Sequence, residues 1–418
     1  MVKFNLNQQN IYRIIVVYLF LLFLLSTIVP FVLVLPIVMV ALFFVHISGY
    51  KSNGLFLIIC SSVFFSFLNF HRNIDSDLYN YYLFFEETRN RDFASFLSDT
   101  FISIRPSEII FIFYTKLLSS MISFRLYVFI TTFLIYSFSL FAIHRLMLLW
   151  FRIKLNVDLL HSYFLFYFLI VLNFSIFLSF TFSLTGHLVR QYLAMSIVFY
   201  AIVLHVDNKK SAIFFILISC LIHNSVLLIS LLYFVSYYLS IRAKKIDAFL
   251  KYIIFFVFIN LFVRYYLYNY FSLYLTMDNG IIPYYLILLD GSLLVIYFLS
   301  CYSLASELVG LYFFPLVYYI FLISFIDVDF IFLRYYFYMD FIRVVIIFYL
   351  VYRYVKISFV PLFSFISFLF VVLFYFRFES SGVVFVDSGR PINILLMSIL
   401  DVSIHQDGVD GISSAGMG

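Results

Sequence analysis

The sequence predicts an all-α polytopic integral membrane protein. Three observations predict it. Of the 418 residues, 65% are hydrophobic and only 11% are charged, against about 25% charged in a soluble domain. Apolar stretches long enough to cross a hydrocarbon core of about 30 Å recur along the chain. Between them Lys and Arg collect in short loops, the usual signal of topology. Every span is expected to be helical, because a backbone in lipid must satisfy its polar groups within its own segment.

Apolar segments lie near 11–28, 31–47, 54–70, 106–121, 124–148, 160–182, 187–206, 211–240, 249–271, 281–301, 309–326, 330–352 and 358–377. They imply about 12–14 transmembrane helices. The first has no cleavable signal pattern, being long and running straight into another apolar stretch. The 106–121 segment is short and follows a polar loop, so it is expected to dip in without crossing. The 211–240 segment is too long for one simple crossing and carries His223-Asn224 at its middle. Two short helices meeting in a hairpin at His223 are the better reading. Residues 1–377 form one transmembrane domain with a large external loop at about 71–105, and 378–418 form a polar tail, Gly-rich at its end and flexible.

The basic loops contain Lys51; Arg145, Arg152 and Lys154; Lys209 and Lys210; Arg242, Lys244 and Lys245; and Arg353 and Lys356. One topology puts all of them in the cytoplasm, with the N-terminus, provided that 211–240 is a hairpin and 106–121 does not cross. The tail is then external. So are the beginning of the Asp75–Asp77 loop, the Arg190 end of its helix, the His223 apex, and Arg264 and Arg334. The unusual polar residues share one side of the membrane.

The net charge of +5 reads as loop topology, and no nucleic-acid partner is expected. Cys60, Cys220 and Cys301 all lie in apolar stretches, with no disulfide framework and no Cys/His metal spacing. No residue pattern calls for a metal or cofactor.

Arg190, in Gly186-His-Leu-Val-Arg-Gln-Tyr-Leu-Ala194, opens an apolar stretch. An arginine at a bilayer centre costs about 2.5–3.5 kcal/mol on insertion scales, less near an end. Gly186, Arg190, Ala194, Ile197 and Ala201 share a narrow, mostly small helix face, which suits packing against protein rather than lipid. Arg190 then binds a phosphate or pyrophosphate, or it snorkels to headgroups. His223, in His223-Asn-Ser225, is a general base or a hydrogen-bonding group for substrate, or a structural histidine beside the cap of a second helix. Asp75 and Asp77 can act as a base toward a sugar hydroxyl, with Tyr79 and Tyr82 as sugar-stacking or interface residues; a helix cap with an aromatic belt is the alternative. Arg105-Pro-Ser-Glu108 reads as a helix start, with Ser and Glu stabilising the first turn. Arg334-Tyr335-Tyr336 begins a long helix and is placed to meet a ligand, with Arg264 near the same end. Asp340 and Arg343, three apart, read as a structural pair.

With these residues in hand, the chain resembles the EpsG-like branch of the Wzy-type polysaccharide polymerases. Asp75…Tyr79…Tyr82 looks like that family's Asp-Tyr cluster in the first large outer loop. Arg190-Gln-Tyr-Leu-Ala194 looks like its Arg-x-x-Leu/Ile-Ala helix start. Lys209-Lys210, a short apolar helix and His223-Asn-Ser225 look like its basic loop followed by His-x-Ser. The resemblance covers roughly 70–350; Val226 departs from the small residue common after that Ser, and the C-terminal third matches only through Arg334 and its tyrosines. It implies a bacterial cytoplasmic-membrane glycosyltransferase of polysaccharide biosynthesis (O-antigen, capsule or exopolysaccharide). Its substrate is an undecaprenyl-pyrophosphate-linked oligosaccharide repeat unit, polymerised at the outer face. Its expected partners are membrane lipids, a flippase and a chain-length regulator. By that resemblance Arg190, with Arg334 second, stabilises the leaving pyrophosphate, and His223, Asp75 or Asp77 accepts the acceptor proton. A single-unit glycosyltransferase or ligase shares the same chemistry. A flippase or transporter of lipid-linked sugar predicts instead broken helices and polar residues through the midplane.

Overall fold

The computed structural model describes residues 53–72, 74, 76–92, 108–154, 185, 188–242, 284–301, 311, 313–326 and 329–354, with 254, 257, 258, 261 and 265. The segments predicted at 11–28, 31–47, 160–182 and 358–377, the tail 378–418, Asp75 and Arg264 lie outside the described residues, as does most of 249–271.

Among the described residues the structure is helical, without strands. The helices are α1 (Asn53–Phe70), α2 (Ser76–Asn90), α3 (Ile109–Ser119), α4 (Phe124–Lys154), α5 (Val189–Val206), α6 (Ser211–Ile222), α7 (Ser225–Arg242), α8 (Tyr284–Cys301), α9 (Phe314–Ile323), α10 (Asp329–Tyr336) and α11 (Met339–Tyr354). Two of them, α4 over Phe124–Leu149 and α5, are long and apolar enough to cross a bilayer.

Helix α5 is the axis of the fold. Only Arg190, Tyr200, His205 and Val206 along it are not fully buried. On the predicted small face Ala194, Ile197 and Ala201 are buried, the two alanines at 0% exposure, so neighbouring helices approach closely there. Helix α4 runs parallel to α5: Phe138 meets Tyr200, and Arg145 donates to Asp207 from Nε at 3.0 Å. Helix α1 packs antiparallel on α4, with Arg125 Nη1 donating to the Phe70 carbonyl at 3.3 Å and Phe65 against Tyr136. At the far end of α5 the chain turns through Asn208, at φ 56°, and two bonds close the turn: Asn208 N–H to His205 O and Lys209 N–H to Leu204 O, both 2.9 Å. This is the Schellman arrangement, and Asn is among the few residues that tolerate the left-handed conformation it needs.

The chain then returns as α6, antiparallel to α5, with Phe215 against Tyr200. The predicted break at His223 is present. His223 takes an extended conformation, φ −152° and ψ 122°, and the carbonyls of His223 and Asn224 accept the first bonds of α7. Helix α7 descends again, with His205 Nδ1 2.8 Å from the Tyr233 hydroxyl. Helices α6 and α7 thus form a hairpin whose apex lies at the Arg190 end of α5. Helix α3 has 11 residues, about 16 Å at 1.5 Å per residue, too short to span a bilayer. It lies at the same end, where Lys116 Nζ donates to the carbonyls of Thr88 at 2.7 Å and Arg91 at 2.5 Å.

Two predictions need correction. The stretch 71–105 is not simply a loop, because it contains the 15-residue helix α2, whose Leu78 and Phe85 bury against Phe124, Tyr127 and Val189. Its apolar residues are interrupted by polar and acidic ones, and their burial depends on partners distant in sequence. The helix predicted over 330–352 is broken at Phe337-Tyr338. Opposed side-chain anchors accompany the break: the Tyr336 hydroxyl donates to Asp290 Oδ2 at 3.1 Å, while the Tyr338 hydroxyl lies 2.6 Å from Ser225 Oγ.

Beside this joint Arg343 is clamped between two carboxylates. Its Nε donates to Asp290 Oδ1 at 2.7 Å, its Nη2 to Asp290 Oδ2 at 2.8 Å and its Nη1 to Asp340 Oδ1 at 2.7 Å. All three residues are buried, so the pair predicted from spacing is half of a larger unit tying α8 to α11. Removing one member of a buried ion pair costs about 3–5 kcal/mol, since the others keep their desolvation penalty. Arg343→Met is therefore expected to lower thermal stability of the purified protein by an amount of that order. The triple variant with Asp290→Asn and Asp340→Asn should recover most of the loss.

Candidate functional site

Three consecutive side chains at the start of α5 reach three different elements. Arg190 Nη1 donates to Glu108 Oε2 at 2.5 Å, Gln191 Nε2 donates to the Arg334 carbonyl at 2.8 Å, and the Tyr192 hydroxyl donates to Asp340 Oδ2 at 2.8 Å. Successive residues on a helix point about 100° apart, so one turn can fasten α3, α10 and α11 to the same axis. The hairpin apex completes the group: Glu108 Oε1 lies 2.7 Å from His223 Nδ1.

The cluster is dry. Side-chain exposure is 13% for Arg190, 5% for Glu108 and 6% for His223. The Arg190 guanidinium also lies 5.7 Å from the centroid of the Phe111 ring, within reach of a cation–π contact. Glu108 and Phe111 are three apart, so the entry to α3 presents both a carboxylate and an aromatic face to Arg190. Arg334 is exposed in the last turn of α10, where its backbone carbonyl accepts from Gln191. Among the described residues, Arg190 Nε and His223 Nε2 are buried without a hydrogen-bond partner. The imidazole and one edge of the guanidinium thus keep unused capacity. Such a group can hold an anion on the arginines and take a proton on the imidazole.

The structure joins Arg190 and His223 through Glu108 and holds the Arg334 backbone on Gln191, the next residue along α5. Asp77 lies exposed in the first turn of α2, and Tyr79 is 38% exposed. Tyr82 sets its ring edge-on to Phe124, with the Tyr79 ring 6.3 Å away. Among the described residues none of these three joins the Glu108 cluster.

Two residues of consequence were not picked out as site residues. Glu108 reads in sequence as a helix-start residue, and it is one, the N-cap of α3, but its side chain makes no cap bond to the first turn; the carboxylate reaches across to Arg190 and His223 instead. Nothing local distinguishes it, since a Glu near a helix start has an ordinary explanation. Asp290 had a signal: it is a lone carboxylate inside the apolar stretch 281–301, where an ionisable group needs a partner. Among the described residues no group of three or more His, Cys, Asp and Glu is arranged to hold a metal ion. No protein-family model, curated protein or solved structure matches the chain.

The hairpin apex is held by the Ser225–Tyr338 bond at 2.6 Å. A single net hydrogen bond contributes about 0.5–1.5 kcal/mol. Tyr338→Phe is expected to lower stability by that much in thermal unfolding. The double variant with Ser225→Ala should cost little more than either single change, because both remove the same bond.

Proposed function

We propose that this chain is a polytopic membrane enzyme of the bacterial cytoplasmic membrane that polymerises undecaprenyl-pyrophosphate-linked oligosaccharide repeat units at the outer face. The observation that carries the reading is a buried imidazole, linked through Glu108 to Arg190, whose Nε2 has no hydrogen-bond partner among the described residues, with the Arg334 backbone held on the neighbouring Gln191. The membrane part of the reading draws on outward-facing apolar stripes. Ile213, Phe214, Leu217 and Leu221 face outward on α6, and Leu227, Leu231, Val235 and Tyr238 on α7. Leu288, Val295 and Leu299 do so on α8, at 72%, 60% and 73% exposure. Water-facing patches of this extent are uncommon on soluble monomers, and acyl chains cover them naturally.

In the proposed reaction the acceptor sugar hydroxyl attacks the anomeric carbon of the donor. Its proton passes to His223 Nε2 as the new C–O bond forms. The bond from the anomeric carbon to the pyrophosphate oxygen breaks, and the pyrophosphate departs with the electron pair. Arg190 and Arg334 stabilise the charge that builds on it. Loss of one preorganised donor of this kind typically costs about 10²–10³ in rate.

A second reading has a specific observation in its favour. The break between α10 and α11, beside the buried Asp290–Arg343–Asp340 cluster, is a feature expected of a transporter of lipid-linked sugar.

The test is surface polysaccharide length in a deletion strain of the parent bacterium. The strain is complemented with the wild-type chain, Arg190→Ala or Arg190→Lys, at matched membrane abundance. A polymerase deletion leaves single repeat units at the surface, and Arg190→Ala at normal abundance fails to restore polymer. Arg190→Lys is expected to rescue only in part, having the charge without the planar fork. Loss of all surface units on deletion would turn the assignment to transport. Unchanged chain length would turn it to single-unit transfer, and full-length polymer with Arg190→Ala would remove the arginine from the site.

A further inference from the structure

Glu108 occupies an unusual position for a carboxylate. It is 4% exposed, and each of its oxygens meets a different partner: Oε2 accepts from Arg190 Nη1, and Oε1 faces His223 Nδ1. A buried carboxylate keeps its charge only if paired, and the guanidinium 2.5 Å away supplies that pairing. An ionised carboxylate has no proton to donate. The proton in the contact to His223 therefore sits on the imidazole Nδ1. In the neutral ring this leaves Nε2 as a bare lone pair, and Nε2 is the nitrogen without a partner among the described residues.

We propose that Glu108 is the positioning carboxylate of this site: it fixes the Nδ1–H tautomer of His223, leaving Nε2 to take the acceptor proton, while its other oxygen holds Arg190 in place for the leaving pyrophosphate. This rests on the glycosyl-transfer reading above and deepens it. From sequence the base stood open among His223, Asp75 and Asp77. The tautomer favours His223. During the reaction the hydroxyl proton moves to Nε2, the imidazolium is stabilised by the Glu108 charge on its far side, and the proton returns to water after the pyrophosphate leaves. Proton and charge are handled through one carboxylate, and Glu108→Gln, whose carbonyl can still accept from Arg190, separates the proton arm from the charge arm.

The decisive variant is Glu108→Gln. The amide keeps the shape, but its single carbonyl is claimed by Arg190, an obligate donor. Its NH₂ then faces Nδ1 and drives the ring proton to Nε2. Two measurements on the full chain in lipid nanodiscs test the proposal. The first is ¹⁵N-histidine NMR, with the His223 signals assigned by difference against His223→Ala. The wild type is expected to carry its proton on Nδ1 and Glu108→Gln on Nε2. A wild-type His223 protonated on Nε2 alone would overturn the proposal whatever the enzyme makes.

The second measurement is elongation of a lipid-linked repeat unit. Glu108→Gln is expected to lower kcat by up to about 10⁴-fold, the size of effect when the carboxylate behind a catalytic histidine is neutralised, with KM changed only a few-fold. The Glu108→Gln/His223→Ala double variant should be no slower than His223→Ala alone, since the two act as a unit. Glu108→Asp, which keeps the charge, should retain the Nδ1–H tautomer and more of the rate. Wild-type kcat in Glu108→Gln, or losses that simply add in the double variant, would sink the proposal. If the tautomer behaves as expected but the wild type elongates nothing, the polymerase reading fails and the positioning role of Glu108 stands.

Discussion

A charge withdrawn from water has to be paired, and this constraint organises the described part of the chain. Two ionic groups are buried near the start of α5: Glu108 with Arg190 and His223, and Arg343 with Asp290 and Asp340. Breaking either one strands a charge in a low-dielectric interior, so each fixes the relative positions of the elements that supply it. The first joins the entry of α3, the start of α5 and the apex of the α6–α7 hairpin. The second joins α8 to α11. Tyr192, donating to Asp340, links the two, and Gln191 on the Arg334 carbonyl adds the end of α10.

The two groups are balanced differently. In the first, one carboxylate serves one arginine and one imidazole, and both partners retain buried polar atoms without bonds among the described residues. In the second, two carboxylates surround one arginine, two of whose nitrogens bind Asp290, and the Tyr336 hydroxyl accepts from Arg343 Nη2 at 2.6 Å. The saturated group resembles a structural rivet, and the unsaturated one has capacity left for a ligand. At the opposite end of α5 the Arg145–Asp207 pair is more exposed, its side chains 29% and 12% accessible, and a pair of that kind contributes less. Both buried ionic groups, the unsaturated and the saturated, therefore lie at the same end of α5.

Much of this was legible in the sequence where the signal is local. The length of 211–240 and the polar His223-Asn224 at its centre announced the hairpin, and the small face of 187–206 announced a helix that packs against protein. Arg190 stood out because an arginine beside an apolar stretch needs a reason. Glu108 did not stand out: beside a helix start it looks like an ordinary terminal residue, and only its long-range partners reveal its work. The break at Phe337-Tyr338 was equally hidden, since no Gly or Pro marks it and its anchors lie on α7 and α8. Helix α2 was missed because its burial comes from residues far along the chain.

The sequence by itself determined the helical character of the described part, the hairpin and the gathering of Arg190, Arg334 and His223 toward one end, because apolar periodicity, length and charge placement can be read along each segment. Only the tertiary structure decided which carboxylate meets the arginine and which nitrogen of His223 is left open. Those choices depend on contacts between residues 82 and 115 positions apart. Pairing of buried charge is a property of the space between helices, and no single helix carries it.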